Sequence, residues 1–356
     1  MSHARFSTPG RVCLFGEHQD YLHLPVVPCA ISLRIAIDAK HSEERTIHID
    51  LPDLQSGDRF PLDGPLDYRN DRDYLRSGLN VIRRHGFTFT RGFRAWMEGK
   101  IPINAGTSSS SAMLVTWMAV LARMSDQEQL LAPEECARLA HEAEVVEFRE
   151  PGGQMDHYST ALGGILAIEF SPALRLEKLS VQPGAFVLGN SREPKDTKGI
   201  LSRVKNQVVS LSHVLERRHP GFSLHTATAS TIADLAPELN EEQKALLSGT
   251  IRNRQLTRNA RALLATPSVD HQQLGMLLNE HQTVLREVLQ ISTPKIDRMI
   301  AAANAAGAYG GKINGSGGGG CMFAYAPDDP ERVAAAVREA GGDAWVVTMA
   351  EGVRAE

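Results

Sequence analysis

The chain has 356 residues, of which 42% are hydrophobic and 22% charged. That composition excludes the disordered, collagen-like and fibrous classes, and the length suits about two domains. Its 38 Lys and Arg against 42 Asp and Glu leave a net charge of −4, so no global electrostatic pull toward nucleic acid or an anionic membrane is expected.

In chain order, strands are predicted at Arg11–Phe15, Pro25–Asp38 and Thr46–Leu51 from their apolar and partly alternating patterns. The stretch Pro52–Tyr74, rich in Asp, Pro and Gly, reads as a loop. A helix follows at Tyr74–His85, ended by Gly86, then a strand at Arg91–Gly99. A helix runs from Ser108 to Met124 with serine as its N-cap, and Pro133 opens another to about Phe148. A helical segment leads to Gly163-Gly164, and Ile165–Phe170 is a strand. A boundary near Pro172–Gly184 divides the chain into expected domains at residues 1–180 and 181–356. The second half begins with a strand at Ala185–Asn190 and a polar loop at Ser191–Lys198. Helical patterns fill Gly199–Glu216, Ile232–Leu247, Ile251–Leu264, Gln272–Leu289 and Pro294–Ala306. Strands at Tyr309–Asn314, Cys321–Ala326 and Ala344–Met349 complete the chain, with a helix at Pro330–Ala340. The mixture is α+β rather than a regular βαβ alternation.

Cys13, Cys29, Cys136 and Cys321 are far apart, with no C-x-x-C pair, which argues against zinc and against a disulfide framework. The N-terminus has no apolar signal region, and the longest apolar run, Ala112–Ala122, is shorter than the ~20 residues of a membrane span. A cytoplasmic protein without a membrane partner is the expectation, as monomer or homodimer.

Three segments carry candidate chemistry. Pro102–Ala112 contains Gly106 and the run Ser108-Ser109-Ser110-Ser111 directly before a helix. A helix N-terminus with free N–H groups binds phosphate, and four serines exceed what a cap needs. Gly311–Cys321 packs five glycines between Gly315 and Gly320. It fits neither G-x-G-x-x-G before a helix nor G-x-x-x-x-G-K-[ST]. It is either a flexible hairpin tip or a loop whose backbone must approach another closely. Pro9–Tyr21 ends a strand at Gly16 and follows it with Glu17, His18 and Asp20. Those groups form either a solvated turn or a set of partners for the hydroxyls of a small polyol.

Taken in this order, the three segments resemble the motifs of the GHMP kinase family (galacto-, homoserine, mevalonate and phosphomevalonate kinases). Pro9–His18 is similar to its P-G-[RK]-V…G-E-H motif, Lys312–Cys321 to its K-x-[TN]-G-x-G-x-G-G-C motif, and Pro102–Ala112 to its P-x-G-x-G-L-S-S-S-A motif. The last carries Asn104 for the first glycine, Thr107 for leucine and one extra serine. Within the family the galactokinase branch is the most similar, through Arg11, Glu17-His18-x-Asp20-Tyr21 and Gly153-Gln-Met-Asp156.

The resemblance implies a two-domain α+β fold, with an N-terminal half like ribosomal protein S5 domain 2 and a ferredoxin-like C-terminal half with added helices. It implies ATP-dependent phosphorylation of a monosaccharide, at the anomeric hydroxyl. Asp156 is the implied catalytic base, and Arg11 the implied catalytic partner that keeps it ionised and stabilises charge on the moving phosphoryl group. Glu17, His18, Asp20 and Gly153 are implied to bind the sugar. Gly106 and Ser108, Ser109, Ser110 and Ser111 are implied to bind ATP, and Ser110 with Glu144 to bind Mg²⁺. Gly315, Gly317 and Gly318 are implied to support the phosphate loop. The region Asn190–Gly199 lacks the Y-N-x-R of galactokinases, and its Asp-Thr-Lys-Gly is closer to the S-T-K of mevalonate-type and heptose-type members. Lys195 and Lys198 there either reach an anionic group on the substrate or lie on a solvated loop. A mevalonate-type kinase and a catalytically silent, sugar-responsive regulator are the alternatives.

Overall fold

A computed structural model describes residues 3–150, 152–194 and 197–356, with the backbone alone for residues 197, 198, 201 and 202. Two sheets organise it. In the first, β1 (His3–Phe15) pairs antiparallel with β2 (Val27–His41). β3 (Thr46–Leu51), β4 (Ser56–Pro61) and β5 (Phe93–Gly99) extend it in the order β2-β5-β3-β4. β6 (Ile165–Glu169) joins β2 and carries β7 (Arg175–Leu179). The second sheet has the antiparallel order β11-β8-β10-β9, from β8 (Ala185–Asn190), β9 (Gly310–Ile313), β10 (Cys321–Tyr325) and β11 (Asp343–Thr348). With helices between β8 and β9 and between β10 and β11, this is a βαββαβ unit of ferredoxin-like topology enlarged by extra helices.

The helices Tyr74–Arg84, Ser109–Met124, Pro133–His141 and Met155–Leu162 pack on the first sheet around Trp117, which is fully buried beside Phe93. Trp117 also lies on Gly78, where a Cβ would stand 2.7 Å from its ring. The chain then returns: β12 (Arg354–Ala355) pairs with β1, so the last residues of the second half complete the first sheet.

Several sequence expectations are corrected. The segment read as a loop before Tyr74 contains β4, whose sequence SGDRFP buries only Phe60. As an edge strand it needs no apolar alternation, so no pattern announced it. β7 and β12 were missed for the same reason, being mostly exposed. The helices expected at Ile232–Leu247 and Ile251–Leu264 divide differently, into Ala229–Leu235 and an unbroken Glu241–Leu264. Gly249 does not end that helix; it lets the helix lie against Val288, whose Cγ1 would be 2.6 Å from a Cβ there. The helix from Pro133 is α-helical only to His141 and continues as a π-turn over Glu142–Val146. All four cysteines are free and buried. Among the described residues no helix is long and apolar enough to cross a membrane.

Candidate active site

β1 shifts register at Pro9/Gly10, and the bulge turns Arg11 inward beneath the serine loop. Gly10 permits this approach, since a Cβ there would stand 3.0 Å from the Thr107 carbonyl. The Arg11 guanidinium is almost fully buried. Its Nη2 lies 2.7 Å from Asp156 Oδ1, its Nε donates to the same oxygen at 2.9 Å, and its Nη1 donates to the Gly106 carbonyl at 2.5 Å. Asp156 stands in the first turn of Met155–Leu162 and stays one-third exposed to the pocket. Burial disfavours its charge, but Arg11 and the Ser108 hydroxyl outweigh that and hold its carboxyl below the usual range.

The glycine loop packs backbone to backbone on the serine loop. A Cβ at Gly315 would fall 2.8 Å from the Gly106 carbonyl, and one at Gly320 2.7 Å from that of Ala105. Cys321 N–H donates to Ala105 O at 2.8 Å, and Asn314 Nδ2 donates to Gly106 O at 2.8 Å. Asn314 Oδ1 in turn accepts from the Cys13 N–H at 2.8 Å, so one amide ties all three motifs together. Gly317 and Gly318 face away from the pocket, against Ile291 and Ile200. Ser108 stands at the expected N-cap position, but its backbone is left-handed (φ 60°) and its side chain makes no capping bond.

The turn after β1 differs from its expected role in part. Glu17 borders the pocket, but its carboxylate is 1% exposed and forms an ion pair with the fully buried Lys312. His18 is likewise engaged on both sides: Nδ1 lies 2.9 Å from the Tyr21 hydroxyl and Nε2 3.1 Å from the Ser316 carbonyl. A carbonyl only accepts, so Nε2 carries the proton. These two residues clasp the turn to the glycine loop, because β9 and the loop after it pass directly behind it.

Asp20 faces Asp156 across the pocket. Gly153 makes room for it, since a Cβ there would overlap the Asp20 carboxylate. Burial, with the Asp156 charge behind it, pushes the Asp20 carboxyl up to about 6. An acid whose pKa is higher in the folded state destabilises the fold once it ionises. Asp20→Asn is therefore expected to raise the melting temperature at pH 7.5, with the gain shrinking as pH falls from about 6 toward 4. Melting curves of both proteins across that range check this; an equal gain at every pH would contradict it.

Glu144 projects from the π-turn, an irregularity that often marks functional positions. It accepts from Ser111 Oγ at 2.7 Å and lies 2.8 Å from His157 Nε2, with the Ser110 hydroxyl close by. Burial opposes its charge, but His157 and the two serines keep its carboxyl below the usual range. The described residues hold no cluster of three His, Cys, Asp or Glu fit for a metal. A cation bound here would have the Ser110 hydroxyl and the Glu144 carboxylate as protein ligands, a sparse hard-oxygen set of the kind that suits Mg²⁺.

One pocket thus collects Arg11, Glu17, His18, Asp20, Gly106, Ser108–Ser111, Glu144, Gly153, Asp156 and Gly315. It also collects Tyr21, Arg72, Tyr74, Glu150 and His157, which were not singled out as site residues. Arg72 binds Glu150 through two bonds of 2.7 and 2.8 Å. Both sit in irregular segments whose composition signals only a loop, while His157 had one available signal, its place next to Asp156. Lys195 and the side chain of Lys198 lie outside the described residues.

Residues 73–164 match the GHMP kinases N terminal domain, residues 260–343 match GHMP kinases C terminal, and residues 2–41 match the galactokinase galactose-binding signature. The chain belongs to the GHMP kinase family and is a phosphotransferase with the two-domain fold of that family. It is 28% identical over 362 residues to the mevalonate kinase of Thermococcus onnurineus, covering 98% of this chain and 97% of that protein. It is 27% identical over 333 residues to the galactokinase of Mannheimia succiniciproducens, covering 90% and 84%. The crystal structure of Lactococcus lactis galactokinase complexed with galactose superposes with a TM-score of 0.85 at 20% identity, covering 99% of this chain and 95% of that one.

Proposed function

We propose that the protein transfers the γ-phosphoryl group of ATP to the anomeric hydroxyl of a monosaccharide. The observation that carries this reading is the pair of facing carboxylates, Asp20 and Asp156, beside Arg11 and opposite the serine loop. Carboxylates accept from sugar hydroxyls and give strong discrimination when buried.

The charge of the lining points to a neutral acceptor. Five carboxylates (Glu17, Asp20, Glu144, Glu150, Asp156) face two arginines, and both arginines are already paired. A substrate carrying its own carboxylate, whether mevalonate or a uronic acid, meets no uncommitted cation among the described lining residues. The identity to mevalonate kinases favours mevalonate as the second reading.

In this scheme the backbone N–H groups at Ser108–Ser111 hold the ATP phosphates. Ser110 and Glu144 would hold Mg²⁺, which would supply neutralisation of the phosphate charge. Asp156 orients the anomeric hydroxyl and takes its proton as the oxygen–phosphorus bond forms. The bond from the γ-phosphorus to the bridging oxygen breaks, and ADP leaves. Arg11 keeps Asp156 ionised and stabilises the charge on the moving phosphoryl group.

ADP release across aldoses, uronic acids and mevalonate tests the reading. Turnover is expected with a neutral aldose and little with the anionic compounds. Turnover with mevalonate alone would establish the second reading, and none with any compound would point to a silent, sugar-responsive regulator.

A further inference from the structure

We infer that His157 is a positioning residue for the metal-binding carboxylate of Glu144; the inference rests on the kinase reading above. His157 Nε2 is 2.8 Å from Glu144 Oε2, the same oxygen that accepts from Ser111 Oγ at 2.7 Å. Histidine, glutamate and serine are all buried. With Oε2 committed twice, Oε1 is the oxygen left to meet a cation beside Ser110. A carboxylate held by one flexible χ3 torsion has no such preference.

The imidazole is itself fixed. Its ring meets His141 edge to face, with centroids 5.2 Å apart and planes at 88°. Its Nδ1 is buried and has no hydrogen-bond partner among the described residues, so the contact with Glu144 is its hydrogen bond. Glu144 reaches it from a π-turn closed by Glu147 N–H to Glu142 O at 2.9 Å. Neighbouring residues on a helix diverge by about 100°. Asp156 and His157 therefore aim from one turn in different directions, one toward Arg11 and the other toward Glu144. The same short helix sets both the hydroxyl-binding group and the support of the metal ligand. Partners that orient a metal ligand are typically worth about 10–100-fold in metal affinity.

The test is Mn²⁺ binding, followed by electron paramagnetic resonance, to the full-length protein with a non-hydrolysable ATP analogue. His157→Leu is expected to weaken Mn²⁺ binding by about 10–100-fold, with sugar affinity within a few-fold of wild type. His157→Gln keeps an N–H donor and is expected to restore most of the affinity. Ser111→Ala, which removes the other donor, is expected to weaken it less. If His157→Leu does not fold, His157→Phe, which keeps a ring against His141 and removes the donor, decides: Mn²⁺ binding weakened in His157→Phe and kept in His157→Gln supports the inference, and binding unchanged in His157→Phe overturns it. Glu144→Gln separates the levels. If it weakens Mn²⁺ binding while His157→Leu does not, only the role of His157 fails. If Glu144→Gln leaves binding intact, the metal assignment fails, and the role of His157 with it.

Discussion

Asp156→Ala is expected to lower turnover by about 10³-fold, within the range for loss of a positioned general base. Binding of a non-hydrolysable ATP analogue should stay within a few-fold of wild type, because the serine loop and Glu144 are untouched. The variant also leaves Arg11 buried beside the Gly106 carbonyl without its anionic partner. Unpairing a buried charge destabilises proteins, so melting must be measured alongside activity. Asp156→Asn is the cleaner form, since it keeps an oxygen for Arg11 and removes the base. Turnover near wild type in either variant, with the protein folded, would refute the role given to Asp156.

Arg11→Met is expected to cost about 10²–10³-fold in turnover, the usual effect of removing one donor aimed at transition-state charge. Its pH profile adds a second readout. Asp156 acts when ionised, so activity falls as pH drops through its pKa, which Arg11 holds below the ordinary carboxylate range. Without Arg11, burial is opposed less, by the Ser108 hydroxyl and His157, and that pKa rises. The acidic limb of the variant should therefore move to higher pH. Arg11→Lys keeps the charge but not the fork that reaches Asp156 and Gly106 O together, so it should recover the limb more fully than the rate. An unchanged acidic limb in Arg11→Met would show that Asp156 does not report the Arg11 charge.

What the sequence made legible follows from how local each signal is. β3 and β8 were read to the residue because each alternates or runs apolar between clear turns. The three motifs were legible as order along the chain, and the pocket joins them in space. The glycine cluster is explained by contact: Gly315 and Gly320 are small because the serine-loop backbone lies against them. The partners of Glu17 were not legible. Lys312 is 295 residues away, and nothing in either segment marks an ion pair between them. A turn rich in Glu, His and Asp suggests open hydroxyl binding, yet in the folded chain Glu17 and His18 hold the turn against the glycine loop. Arg72 and Glu150 were hidden by loop composition, and the π-turn under Glu144 by a helical pattern that does not distinguish it from an α-turn. His157 was hidden because a histidine on a buried helix face is usually read as core.

In the proposed reaction Asp156 and Arg11 serve an anomeric sugar hydroxyl. Phosphorus–proton correlation by NMR on the product of a neutral aldose tests it most directly. A phosphate coupled to the anomeric proton is expected, formed by the wild type and lost in Asp156→Ala. A phosphate coupled to any other sugar proton, or a product formed only from mevalonate, would contradict it.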